Sequence, residues 1–143
     1  MFYSACFNTT ASATGTPAMD FKAAQASFPK LFEMGIQIGA ATASTFGIGR
    51  SSNTPVQTNT AVLLAEDGGN TVAGQTTQAV TWSTAPTIPT IFSRNIILNN
   101  AIGQSVVFTW PRGFSLSPAA ASLVVWNQAN NSNNTNVWAV LDE

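Results

Sequence analysis

The sequence predicts an all-β fold: a jelly-roll-like β-sandwich of about eight strands carrying an extended N-terminal arm. Three observations lead there. Apolar residues recur at every second position in several segments, as on the half-buried face of a strand. Clusters of Gly, Pro, Asn and Asp break the chain at short intervals. A sustained helical period is missing throughout.

Residues 1–29 read as the arm. Ser, Thr, Ala and Gly dominate it, with Phe2, Tyr3 and Phe7 as scattered aromatics. Asp20 to Ser27 contains Ala23, Ala24 and Ala26 and predicts a short helical turn, which Pro29 stops. Residues 30–143 read as the sandwich domain. Phe32, Met34, Ile36 and Ile38 alternate with Glu33, Gly35 and Gln37, placing four apolar side chains on one face. After Gly39-Ala40-Ala41, the residues Ser44, Phe46, Ile48 and Arg50 share a face opposite small residues. Ser51 to Asn59 is a polar loop, and Ala61 to Glu66 a short apolar run. Asp67-Gly68-Gly69-Asn70 has the chemistry of a tight hairpin, because Asp-Gly and Gly-Gly tolerate positive φ. Thr71–Trp82, Thr90–Leu98, Gln104–Trp110, Ser122–Gln128 and Asn136–Leu141 complete the strands. The stretch from Ala129 to Thr135 is an amide-rich tip.

Composition narrows the function. Of 143 residues only 11 are charged, five Lys or Arg and six Asp or Glu, while Ser, Thr and Asn total 44. That 8% charge is about a third of the usual share. With no His and one Cys, the raw material for His-based triads, His/Cys zinc sites and disulfide frameworks is missing. Lys22, Lys30, Arg50, Arg94 and Arg112 never cluster, so no nucleic-acid surface is expected. No apolar run has the length of a membrane helix, and the first residues lack a basic, then apolar, secretory pattern. Leu, Ile, Val and Phe supply 34 residues, enough for one core.

The candidate sites are sparse. Glu66-Asp67 falls on a turn and Asp142-Glu143 at the end of the sequence, neither presenting two carboxylates across a substrate. No enzyme activity, metal or cofactor is expected. Cys6 reads as a spare thiol, and the sequons at Asn8, Asn130 and Asn133 are what an Asn- and Thr-rich chain contains by chance. Arg50, Arg94 and Arg112 are candidate partner contacts, since a guanidinium near aromatic surface can stack or grip a carboxylate. Phe2, Tyr3 and Phe7 are candidate anchors for an arm that folds onto a neighbour. Trp126 and Trp138 lie within apolar strands and are expected in the core or at a subunit contact.

Val106 to Phe114 with its Trp110-Pro111-Arg112-Gly113 turn, Leu116-Ser117-Pro118, the closing Val137 to Glu143, and the entry Leu31-Phe32-Glu33-Met34-Gly35 carry a resemblance. Over residues 30–143 the chain resembles a group of small structural proteins of tailed bacteriophages, among them capsid decoration (cement) proteins. The resemblance implies a jelly roll or related β-sandwich that forms a homotrimer and binds the major capsid protein or other virion proteins. It also implies a place on the capsid exterior after synthesis in the host cytoplasm, and no catalytic residues. The alternative expectation is a tail, fibre or other virion module that binds a receptor or glycan, motivated by the four Trp residues and the Asn-rich tip.

Overall fold

In the computed structural model, residues 2–9, 13–23, 28–66, 76–116, 121–129 and 134–143 are described. The strands in chain order are β1 (Phe2–Thr9), β2 (Thr16–Ala23), β3 (Lys30–Ile38), β4 (Ser44–Arg50), β5 (Val56–Gln57), β6 (Thr60–Val62) and β7 (Leu64–Ala65). They continue with β8 (Thr76–Ala79), β9 (Trp82–Thr84), β10 (Phe92–Leu98), β11 (Ser105–Ser115), β12 (Leu123–Asn127) and β13 (Thr135–Asp142). A five-stranded sheet runs β11-β3-β13-β1-β7, and a six-stranded sheet runs β10-β4-β12-β2-β8-β6. All the pairings are antiparallel.

Four of the pairs are nested. β1 pairs with β13, β2 with β12, β3 with β11 and β4 with β10, and successive pairs alternate between the two sheets. One hydrophobic core lies between the sheets. Tyr3, Met34, Ile36, Val137 and Leu141 enter it from one side, and Met19, Phe21, Phe46, Ile48, Leu123 and Val125 from the other. The all-β expectation is therefore met, and the paired sheets make a β-sandwich.

The expected N-terminal arm is corrected. Phe2–Thr9 lies inside the five-stranded sheet, between β13 and β7, and Thr16–Ala23 lies inside the six-stranded one. The division at residue 29 thus cuts through the sandwich. Asp20 to Ala23, expected in a helical turn, is strand; residues 24–27 lie outside the described residues. Small and polar side chains suit these segments because both are flanked by neighbours that supply the bulk. Tyr3 fills the core, Phe2 meets Phe32 edge-on at 5.9 Å, and the Phe7 side chain is outside the described residues.

Two other readings change. Phe32 does not share the face of Met34, because a bulge sets Val140 opposite Glu33 but Leu141 opposite Leu31. Leu31 is buried in its place. The run Ala61 to Glu66 is not one strand: β6 joins the six-stranded sheet and β7 the five-stranded one, with buried Leu63 between them. The turn at 67–70, residues 71–75 of the expected Thr71–Trp82 strand and residues 130–133 of the amide-rich tip lie outside the described residues.

Of the segment between β4 and β10, the parts around β5 and β9 lie over the outer face of the six-stranded sheet, while β6 and β8 extend that sheet and β7 joins the other. β5 and β9 pair as a small third sheet. Phe92 rests on Gly47, where a Cβ would stand 2.4 Å from the ring. Val124, Trp126 and Asp20, which alternate with the core residues of their strands, are buried on this outer side.

Removing residues 2–9 should abolish cooperative unfolding, because it strips β13 and β7 of a common neighbour and uncovers the core at Tyr3 and Ala5. An unchanged melting transition in the truncated chain, measured by circular dichroism, would contradict the placement of β1.

Candidate interaction surface

β10 and β11 are consecutive in the chain and each ends its own sheet, so together they form one lateral opening of the sandwich. Aromatic residues of β11 fill that opening. Phe108 and Trp110 have centroids 6.3 Å apart, and Trp110 and Phe114 are 6.0 Å apart. Between Thr109 and Phe114 the strand carries extra residues relative to β3, and this bulge turns Trp110 inward while leaving Pro111 and Arg112 exposed.

Arginines of the other sheet reach across. The Arg50 guanidinium carbon stands 4.6 Å from the centre of the Phe114 ring, and that of Arg94 stands 5.6 Å from the Trp110 ring. Arg50 Nη2 also donates to the Ser115 carbonyl, and Arg94 Nη1 donates to the Ser93 carbonyl at 2.8 Å. Burial pulls the Arg50 guanidinium below its ordinary value, yet Arg at such a site stays charged. These two residues, expected at a partner interface, are therefore fastened within the chain, tying one sheet to the other. Arg112 is exposed on the bulge. A groove of about 450 Å³ lies beside them, lined by Arg50, Ser52, Thr90, Ile91, Ser93 and Phe114.

Exposed apolar side chains surround the same corner: Ile91, Ile97, Ile102 and Val107. Sequence reasoning did not single them out. Ile97 sits in Ile96-Ile97-Leu98, where an unbroken apolar run hides which side chain faces out. Ile102 did carry a signal, since an Ile in an Asn- and Gly-bounded turn is out of place on solubility grounds.

The remaining polar constellation is internal. Asp20 is fully buried, and its Oδ1 accepts hydrogen bonds from Gln57 Nε2 at 2.8 Å and Trp82 Nε1 at 2.9 Å. Gln57 in turn accepts from Thr77 Oγ1 at 2.7 Å, and Lys22 Nζ donates to the Pro55 carbonyl at 3.1 Å. Burial raises the Asp20 carboxyl above the usual 3.8, while the hydrogen bonds and the Lys22 charge pull against that rise. A carboxyl walled in this way holds the outer segment to β2 and is closed to a substrate. Phe2, Tyr3 and Phe7 lie on β1, separated from the β10–β11 corner by β13 and β3. Among the described residues no three His, Cys, Asp or Glu gather into a metal site, and no helix is long and apolar enough to cross a membrane.

Comparison with known protein families, with curated proteins and with solved structures finds no match.

Two outcomes test this site. Arg94→Ala should lower stability by about 0.5–1 kcal/mol, the worth of an exposed cation–π contact, and Arg112→Ala should leave it unchanged. Equal effects in urea titrations would mean that the Arg94–Trp110 contact does not stitch the sheets. For Asp20, the folded carboxyl holds its proton to higher pH than the unfolded one. Its contribution to stability is full below the unfolded value of 3.8 and is lost as pH rises through the folded value. Asp20→Asn removes that loss, so thermal melts from about pH 3 to pH 7 should favour the variant increasingly at the upper end. Asp20→Ala, which strips the acceptor from two donors, should be destabilising by about 1–3 kcal/mol.

Proposed function

We propose that this chain is a structural protein of a bacteriophage virion: a capsid cement protein that forms a homotrimer and stabilises the shell of major capsid protein from outside. The observation that carries the reading is the β10–β11 corner. There two sheet-edge strands present Ile97 and Val107, and the segments flanking them Ile91 and Ile102, to solvent on a chain with only 11 charges. An open edge with an apolar rim and little charge invites association, and native proteins leave such an edge where a partner covers it. Pro111 and Arg112, on the bulge at one end of β11, oppose unlimited edge-to-edge pairing and favour a defined contact. Closed cyclic symmetry gives each copy the same contact and multiplies weak attachments to the shell.

The nested order, first strand with last and alternating between sheets, supports the finer reading of the sandwich as a jelly roll. It also makes the proposed function one of shape and surface, with no reaction assigned to any residue.

The test combines native mass with attachment. By light scattering the protein should run at about three times its 15.0 kDa chain mass and cosediment with expanded phage capsids. Ile97→Lys should shift it to monomer and reduce cosedimentation at least tenfold while keeping its melting transition. A wild-type monomer that leaves shells bare would overturn the proposal.

A further inference from the structure

The outer face of the five-stranded sheet differs from that of the six-stranded sheet, because no segment among the described residues is laid across it as β5 and β9 are across the other. At its centre is Trp138. In register, one row of this face reads Val107, Gly35, Trp138, Cys6 across β11, β3, β13 and β1. The indole lies flat over Gly35: a Cβ there would stand 1.9 Å from Trp138 Cε2 and Cζ2. Its Nε1 donates to Glu33 Oε1 at 3.3 Å, which fixes the ring in its plane. The side chain is only partly buried, with one side of the ring resting on the sheet.

The rows on either side are largely polar. On one side lie Gln37 and Asn136, joined by an Asn136 Nδ2 to Gln37 Oε1 hydrogen bond at 3.3 Å, with Gln37 Nε2 donating to the Gly103 carbonyl at 3.2 Å. On the other lie Thr109, Glu33, Val140 and Ser4, polar except for the one valine. A cavity of about 590 Å³ adjoins the ring, with Ser4, Cys6, Leu64 and Val140 in its wall. That volume lies within the range of small-ligand sites.

We infer that this face binds a neutral, β-linked pyranose chain, with a sugar ring stacked on Trp138. A pyranose whose hydroxyls are equatorial offers a flat C–H face to an indole and a rim of hydroxyls to amides and carboxylates. Trp138 supplies the platform, and Gln37, Asn136 and Glu33 supply donors and acceptors at its edge. The ring and amides are pinned before any ligand arrives, so little side-chain freedom remains to be lost on binding. Neutral sugar is favoured over acidic because the nearest described cation on this face, Lys30, lies beyond the Glu33 row and is in register with Asp142. The test is separable from that of the trimer and the shell: Val107 borders both surfaces, but Ile97, whose substitution tests the corner, belongs to the other sheet.

The experiment titrates the full chain with cellohexaose, chitohexaose and, as an anionic control of the same linkage, β-1,4-linked oligoglucuronate, read by calorimetry and by the indole N–H resonances. At least one neutral oligosaccharide should bind and shift the Trp138 N–H signal, and the anionic control should not. Trp138→Ala should weaken that binding at least tenfold, with Trp138→Phe intermediate and the oligomeric mass unchanged. The inference is overturned if neither neutral sugar shifts the wild-type Trp138 signal, or if Trp138→Ala binds as well as wild type. It is equally overturned if Trp138→Ala converts an oligomer to monomer, which would mean that a second copy covers the ring. Because the wild-type resonance is read directly, the result stands even if a variant fails to fold.

Discussion

Everything in this molecule is positioned by the pairing of its first strand with its last. Phe2–Thr9 runs antiparallel to Thr135–Asp142 along its whole length, so the two ends of the chain meet in the middle of one sheet. Given that pairing, the chain folds back on itself as a doubled ribbon, and each inner pair falls alternately into one sheet or the other. The innermost pair, β4 with β10, leaves β10 and β11 at the lateral opening. The long segment between β4 and β10 then emerges beside the six-stranded sheet, adds β6 and β8 to its edge, and covers its outer face with the parts around β5 and β9. Such pairing closes loops of more than a hundred residues before its contacts are gained, the kind of topology that folds slowly.

That asymmetry decides which surfaces can meet something else. Val124 and Trp126 on the outside of the six-stranded sheet are buried, whereas Val140 and Trp138 on the outside of the five-stranded sheet are half-buried. As sequence the two are nearly indistinguishable, since Leu-Val-Val-Trp and Val-Trp-Ala-Val are both apolar strands with a central Trp. Alternation can assign a side chain to one face or the other. It carries no information about whether a distant segment covers the outer face. Trp138 was expected in a core or subunit contact for this reason, although Gly35, which lets the ring lie flat, comes from a strand about a hundred residues away.

Strands with one apolar face were legible, notably β3 and β4, because their period of two survives without knowledge of neighbours. β1 and β2 were not. Their core-facing positions include Ala5, Ala18 and Ala23, whose small side chains give little contrast with Ser and Thr. The bulges were illegible too: the one at Phe32 shifts the face by a residue, and only pairing with β13 reveals it. At the interaction surface, Arg50, Arg94 and Arg112 could be picked out because charges are scarce. That Arg50 and the exposed Arg94 each reach an aromatic ring of β11, whereas Arg112 sits exposed on its bulge, depends on β11 crossing the opening.

The scarcity of charge takes on a sharper meaning once the charged side chains are placed. Asp20 clasps Gln57 and Trp82, Lys22 reaches the Pro55 carbonyl, Glu33 pins Trp138, and Glu143 accepts from the Thr76 backbone N–H at 2.7 Å. Arg50 and Arg94 close the sandwich on aromatic rings. Most charges here therefore serve as long-armed connectors between segments distant in sequence. A guanidinium or carboxylate suits that task, because a charge-assisted hydrogen bond is stronger than a neutral one and less dependent on a tightly packed core. The surface then relies on hydroxyls and amides, which hold water yet offer little repulsion against another protein or a sugar. With most of its charged side chains tied to its own segments, the chain leaves an apolar corner and a flat indole as the surfaces open to a partner.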